Sequence, residues 1–212
     1  MAGRTPEQVG TTRELILTVA ERLFAEHGVH AVSKRQIGAV AGQGNNTAVG
    51  YHFGTKEDLV RAIVRRHAEP VEEIRVRLLA EVNGSTELRD WVDCSVLPFA
   101  RHFAALDSPT WFARFCVQVL TDPVLRSILA EEFLTSPALQ RIETGLGRCV
   151  AGLPPGVRHA RSAMAGHVIL QTCAEYERGL AANSPTAWAS WDEVATSLID
   201  ALVGLWSGPV TR

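Results

Sequence analysis

The chain has 212 residues, 46% of them hydrophobic and 21% charged, and a formal net charge of −2. Those values fit an ordinary globular protein, either one large domain or a small one joined to a larger one, and they exclude a protein that is basic throughout. No apolar run approaches the roughly 20 residues that cross a bilayer; the longest, Ser162 to Ala174, is bounded by Arg161 and Glu175. Charge is unevenly spread along the chain. Residues 1–67 carry nine Lys/Arg against six Asp/Glu, whereas residues 68–212 carry twelve against seventeen, which hints at a polyanionic partner for the front only. Cys94, Cys116, Cys149 and Cys173 are far apart, with neither a CxxC pair nor a zinc spacing. In the absence of a signal-like apolar segment they read as reduced thiols packed as small hydrophobes, in a soluble cytoplasmic protein without metal or cofactor.

Residues 1–10 are polar, contain Gly and Pro, lack periodicity and predict a flexible N-terminal arm. Thr11-Thr12-Arg13-Glu14 has the form of a capping box, and Ile16, Val19, Ala20, Leu23 and Phe24 behind it share one helical face. Gly28 after His27 supplies the left-handed residue that ends such a helix. Ser33-Lys34-Arg35-Gln36 is a second capping box, opening a short helix stopped by Gly42. The polar run Gln43-Gly44-Asn45-Asn46-Thr47 leads into a further short helix, Ala48 to Phe53. Gly54 ends it, and Thr55-Lys56-Glu57-Asp58 caps a long helix running to about Ala80. From Ser85 the pattern remains helical, with helices near 86–105, 109–120, 123–150, 156–182 and 187–207; Ser136-Pro137 breaks or kinks the third of these. The fold class is therefore all-α. The expected domains are residues 11–54, a three-helix unit, and 55–212, a larger helical unit.

Two short helices joined by a glycine-bearing turn suit the reading of DNA. The first braces across the backbone, and the second presents its leading side chains to base edges in the major groove. Asn45 and Asn46 carry amides able to pair bidentately with adenine, and Thr47 can hydrogen-bond or touch a thymine methyl. A solvated polar turn is the alternative reading of those residues taken alone.

The string from Thr12 to Gly42, followed by Tyr51-His52-Phe53-Gly54-Thr55-Lys56-Glu57-Asp58-Leu59-Val60, resembles the TetR family of bacterial transcription regulators over about residues 11–66. The resemblance implies a helix-turn-helix at the front and a homodimer on a palindromic operator in double-stranded DNA. It also implies a rear domain for dimerisation and for a small-molecule effector that releases the DNA. It further implies phosphate contacts from Lys34, Arg35 and Lys56. In this chain the stretch between Gly42 and Tyr51 is one residue longer than is usual in that family. Gly50 also stands where the family often has a tyrosine, leaving Tyr51 and His52 as substitutes. No Lys or Arg lies between Gln43 and Phe53. Base readout is therefore expected from amides and hydroxyls, and phosphate affinity from Arg4, Lys34, Arg35 and Lys56.

In the rear domain, Val194, Ala195, Leu198, Ile199, Ala201, Leu202, Leu205 and Trp206 spread round much of the last helix. A surface helix needs only one apolar stripe, so a second buried face is expected, either in the chain's own core or against a partner helix. The helix at 156–182, with Ala160, Ala163, Met164, Ile169 and Ala174, is the expected companion in a dimer interface. Trp91, Phe103, Trp111 and Phe115, with the polar His167 and Gln171, form a candidate effector site of aromatic walls and a few polar groups. Plain core packing is the competing reading of the aromatics. Enzyme readings through Cys116 or His167 find no Ser-His-Asp elbow, phosphate-cradling glycine loop or HExxH helix, so no catalytic residues are assigned. The adjacent acids Glu72-Glu73 and Glu131-Glu132 read as solvated faces. A DNA-binding activator, or a binder without effector, is the alternative to a repressor.

Overall fold

The computed structural model describes residues 6–42, 48–106 and 108–211. Among them lie ten helices and no strand, as the periodicity predicts: α1 (Pro6–His27), α2 (Lys34–Val40), α3 (Ala48–Phe53), α4 (Lys56–Glu81) and α5 (Leu88–Ala105), then α6 (Phe112–Leu120), α7 (Pro123–Phe133), α8 (Pro137–Cys149), α9 (Pro155–Ala181) and α10 (Trp191–Ser207). The first of them corrects the expected N-terminus. Helix α1 begins at Pro6, so residues 6–10 are helical rather than part of an arm, and Thr11 lies within the helix instead of capping it. Proline is pre-organised for the first helical position.

The punctuation of the front half follows local chemistry. Gly28, Gly42 and Gly54 all have φ above +60°, the left-handed region in which a side chain is strained. The Gly28 amide closes α1 by donating to the Phe24 carbonyl at 2.9 Å. Ser33 and Thr55 complete reciprocal capping boxes with Gln36 and Asp58. Further along, Ser136 caps α8 through the Leu139 amide, so the Ser-Pro pair breaks the predicted long helix into α7 and α8. Ser190 caps α10, which starts at Trp191, later than the predicted 187.

One continuous apolar core runs through the chain. Ile16, Leu17, Ala20 and Phe24 of α1 are buried, as are Leu59, Val60, Ile63 and Val64 of α4. Helix α6 packs on α1 by stacking Phe115 on Phe24, with 6.2 Å between ring centroids. Helix α10 buries Val194, Ala195, Leu198, Ile199, Leu202 and Trp206 within its own chain, packing along α5 and α9. Burial in the chain's own core, one of the two readings of that apolar circumference, thus accounts for most of it; Ala201 is exposed and Leu205 half-buried. On α9, Ile169 and Ala174 turn inward, whereas Ala160, Ala163 and Met164 face outward.

Helices α5 and α8 approach closely where Gly145 meets Trp91. A Cβ placed on Gly145 would lie 2.2 Å from the indole ring. Gly145→Ala is expected to lower stability by about 2 kcal/mol, because overpacking of this kind outweighs the roughly 1 kcal/mol that alanine gains inside a helix. Urea unfolding of the two proteins checks this.

Candidate nucleic-acid interface

Helices α2 and α3 are too short to be stable alone. They are held by buried positions turned toward the body: Ile37 and the bare backbone of Gly38 in α2, Ala41 at its C-cap, and Ala48, Val49 and Phe53 in α3. The faces opposite these are left to solvent. Tyr51 is 82% exposed, its ring edge-on to His52 with centroids 5.3 Å apart. Arg35 is exposed on α2 and makes no ion pair among the described residues. Arg13 of α1 lies over the Phe53 ring, 5.1 Å from its centroid. Asn45, Asn46 and Thr47, with Gln43 and Gly44 beside them, lie outside the described residues, as does Arg4.

The two lysines have a role that spacing did not reveal. Lys34 Nζ donates to the Gly54 carbonyl at 2.7 Å, tying α2 to the turn between α3 and α4. Lys56 Nζ donates to the Val29 carbonyl at 2.9 Å, tying the start of α4 to the turn after α1. An ammonium has three donors, so each lysine can stitch two elements together and still present N–H groups outward. The α4 end is further defined by hydrogen bonds from the Thr55 hydroxyl and amide, which hold the Asp58 carboxyl below its usual range. The structure thus brings Lys34, Arg35, Tyr51, His52 and Lys56 onto three consecutive elements of one small unit.

The six residues proposed for an effector do not surround a single space. Phe103 stacks on Trp191 with centroids 4.8 Å apart and tilts toward Phe112. Phe115 is fully buried between Phe112 and Phe24, and Trp111 is half-buried at the N-terminal boundary of α6. Trp91 lies twelve residues from Phe103 on α5, about 18 Å along the helix at 1.5 Å per residue, where Arg148 covers its ring. His167 and Gln171 face solvent, because α9 turns Ile169, Cys173, Ala174, Tyr176 and Glu177 inward. An open groove of about 690 Å³ runs between α4 and the α7–α8 turn, lined by Ala68, Glu72, Arg75, Val76, Phe133 and Ser136, and contains none of the six.

Several polar contacts between elements escaped the sequence. Glu131 and Glu132 are not simply solvated: Arg61 pairs with both, and Arg65 pairs with Glu132, locking α4 to α7. Within α4 itself, Glu72 pairs with the buried Arg75 one turn on, so it too is not a freely solvated acid. Glu177, 1% exposed on α9, accepts from the Ala113 and Arg114 amides at the start of α6 and from the Arg114 side chain. Burial raises its carboxyl pKa despite those donors. His30, after α1, pairs with Asp122, the N-cap of α7, at 2.6 Å. A pairing of residues so far apart in sequence leaves no local signal.

Residues 16–63 match the family described as bacterial regulatory proteins, tetR family. The chain is 36% identical over 74 residues to the HTH-type transcriptional repressor BepR of Brucella suis biovar 1 (strain 1330), covering 35% of each protein. It is 33% identical over 84 residues to the HTH-type transcriptional regulator AcrR of Shigella flexneri, covering 40% of this chain and 39% of that one. The matches span about a third to a half of the length of the curated relatives. Among solved structures, the fatty acid degradation regulator FadR from Bacillus halodurans aligns over the whole of both chains with a TM-score of 0.61 and 16% identity. A transcriptional regulator (TerR/AcrR family) from Aquifex aeolicus VF5 aligns over 91% of this chain and 98% of its own, with a TM-score of 0.54 and 17% identity. At that identity the likeness is one of fold.

Because the Ser33 hydroxyl supplies the cap of α2, Ser33→Ala is expected to cost about 1 kcal/mol of stability. Thermal unfolding, with amide exchange at residues 36–40, measures both the loss and its location.

Proposed function

We propose, from the match of residues 16–63 to the tetR family of bacterial regulatory proteins, that the chain is a cytoplasmic homodimeric repressor of that family, released from a palindromic operator by a small molecule. The observation that carries the reading is the outward surface of α2, α3 and the first turn of α4, where Lys34, Arg35, Tyr51 and Lys56 are grouped. Two such surfaces related by a two-fold axis match half-sites in successive major grooves. No helix among the described residues is long and apolar enough to cross a membrane, which agrees with a cytoplasmic site of action.

The division of labour follows from chemistry. Arg35 and the free N–H groups of Lys34 and Lys56 bind phosphates, while Asn45, Asn46 and Thr47, with Tyr51 and His52, meet bases or sugar. The second subunit docks on the outer faces of α9 and α10. Met164, Val168 and Leu180 are exposed on α9, and the outer strip of α10, with Thr196, Ser197, Ala201 and Gly204, is small enough for close approach. The effector acts in the aromatic layer of Phe103, Trp111 and Phe115, since a displacement of α6 there reaches α1 directly through Phe24. Trp91, His167 and Gln171 lie away from that layer.

Selection of bound duplexes from a random pool tests the proposal. A palindromic consensus is the expected outcome, and an unenriched pool contradicts it. On the selected duplex, Arg35→Ala should weaken all sequences alike and flatten the dependence of log K on log salt by about one unit, whereas Asn46→Ala should relax preference at one base pair at a cost of about 1–3 kcal/mol. Sedimentation equilibrium should give twice the 23.1 kDa chain mass; a stable monomer at micromolar concentration removes the two-fold reading.

A further inference from the structure

Where the front unit meets the rear helices, an otherwise apolar junction contains a chain of three polar side chains. Glu21 of α1, His67 of α4 and His102 of α5 are 4%, 4% and 5% exposed. His67 Nε2 lies 2.9 Å from Glu21 Oε2, and His67 Nδ1 lies 2.8 Å from His102 Nε2. Arg66 donates to the same Glu21 oxygen and approaches Glu14 at 3.8 Å. Helix α6 closes the junction by stacking Phe112 on the His67 ring, 3.8 Å between centroids.

The hydrogen count of this chain is restrictive. With both rings neutral, His102 Nε2–H donates to His67 Nδ1, and His67 Nε2–H donates to the Glu21 carboxylate. One added proton is accommodated as well: His67 as an imidazolium donates on both sides, to Glu21 and to a His102 Nε2 that now accepts. A second proton has no place. Two N–H groups on two cations would then face each other across 2.8 Å with no acceptor between them.

We propose that the Glu21–His67–His102 chain is a proton-operated joint, which seats α1 on α4 and α5 at neutral pH and loosens that seat as mild acid forces a proton onto the second ring. The joint is a property of how the two halves are connected, so it stands independently of what the front unit binds.

The surroundings leave the second proton without a counter-charge. Burial, and after it the charge of His67, drives the His102 imidazole down to about 4, against the pull of Glu21. Burial alone would raise the Glu21 carboxyl, but His67 and Arg66 hold it below its usual range, so it is already committed as a carboxylate. From α6 the thiol of Cys116 faces the junction and burial keeps it neutral, while Arg114 is paired with Glu177 of α9. From α7, Glu131 and Glu132 are bound by Arg61 and Arg65, and Asp122 by His30. Helix α10 reaches this region through Trp191 on Phe103, its Asp192 and Glu193 being exposed.

The direction of the pH effect follows. An opened chain protonates His102 near 6.5, whereas the closed junction resists until about 4. Stability associated with the neutral ring is therefore full above pH 6.5 and lost progressively as pH falls toward 4.

The test uses the full chain. Nitrogen-15 spectra of the histidine rings are followed from neutral pH into acid. Urea unfolding is measured at pH near 7 and near 5 for the natural protein and for His102→Gln, whose amide still donates toward His67 but cannot titrate. The expected results are a His102 ring that stays neutral well below the usual imidazole range, and an unfolding constant that rises on acidification by roughly tenfold or more relative to the variant. In hydrogen exchange, α1 should lose protection before α9 and α10. An ordinary His102 titration, equal pH dependence in the two proteins, or simultaneous loss of protection in all helices overturns the proposal. If His102→Gln does not fold, the ring spectra and the exchange pattern of the natural protein decide it.

Discussion

Helices of seven and six residues cannot stand by themselves, and the front of this molecule depends on how that constraint is met. Their inward side chains rest on a floor supplied by α1 and by the first half of α4. Capping boxes at Ser33 and Thr55 fix where α2 and α4 begin, and left-handed glycines fix where α1 and α3 end. The lysine ties to the Gly54 and Val29 carbonyls add two struts across the unit. With so many local devices agreeing, the exposed faces of α2 and α3 are free to carry groups chosen for a partner rather than for folding.

The same floor joins the front unit to the rest. Helix α6 is gripped at its start by Glu177 of α9 and presses Phe115 on Phe24 of α1, so α9 and α1 are linked through one nine-residue element. A buried carboxylate without donors would cost several kcal/mol; with two backbone amides and a guanidinium it becomes a specific grip. The Glu21–His67–His102 chain is the second connection, and it crosses α1, α4 and α5. Apolar packing supplies most of the adhesion, but it tolerates sliding. The polar contacts are directional and set the register in which the two halves meet.

Much of this was legible in the sequence, for identifiable reasons. The capping boxes at 33–36 and 55–58, the glycine stops and the Ser136-Pro137 break are local signals, and each was recovered because its chemistry acts within four residues. The start of α1 is ambiguous in sequence, because Thr11 has the form of a capping box while Pro6, where the helix begins, is equally able to open one. The apolar circumference of α10 pointed to a second buried surface, and periodicity could not say that α5 and α9 of the same chain provide it. Residue type alone does not separate Trp91, His167 and Gln171 from Phe103 and Phe115. Which face of α9 turns inward, and how far Trp91 sits along α5, are tertiary facts. The buried histidine pair joins residues 35 apart in sequence, and neither has a flanking pattern that marks it.

The claim on which the functional account turns is that duplex DNA meets the tip formed by α2, α3 and the start of α4. Backbone amide shifts of the full chain on titration with a selected duplex test it most directly. Changes should concentrate between residues 33 and 58 and leave the outer faces of α8 and α9 unmoved. Shifts centred on the groove between α4 and α7, or on the rear helices, would contradict it.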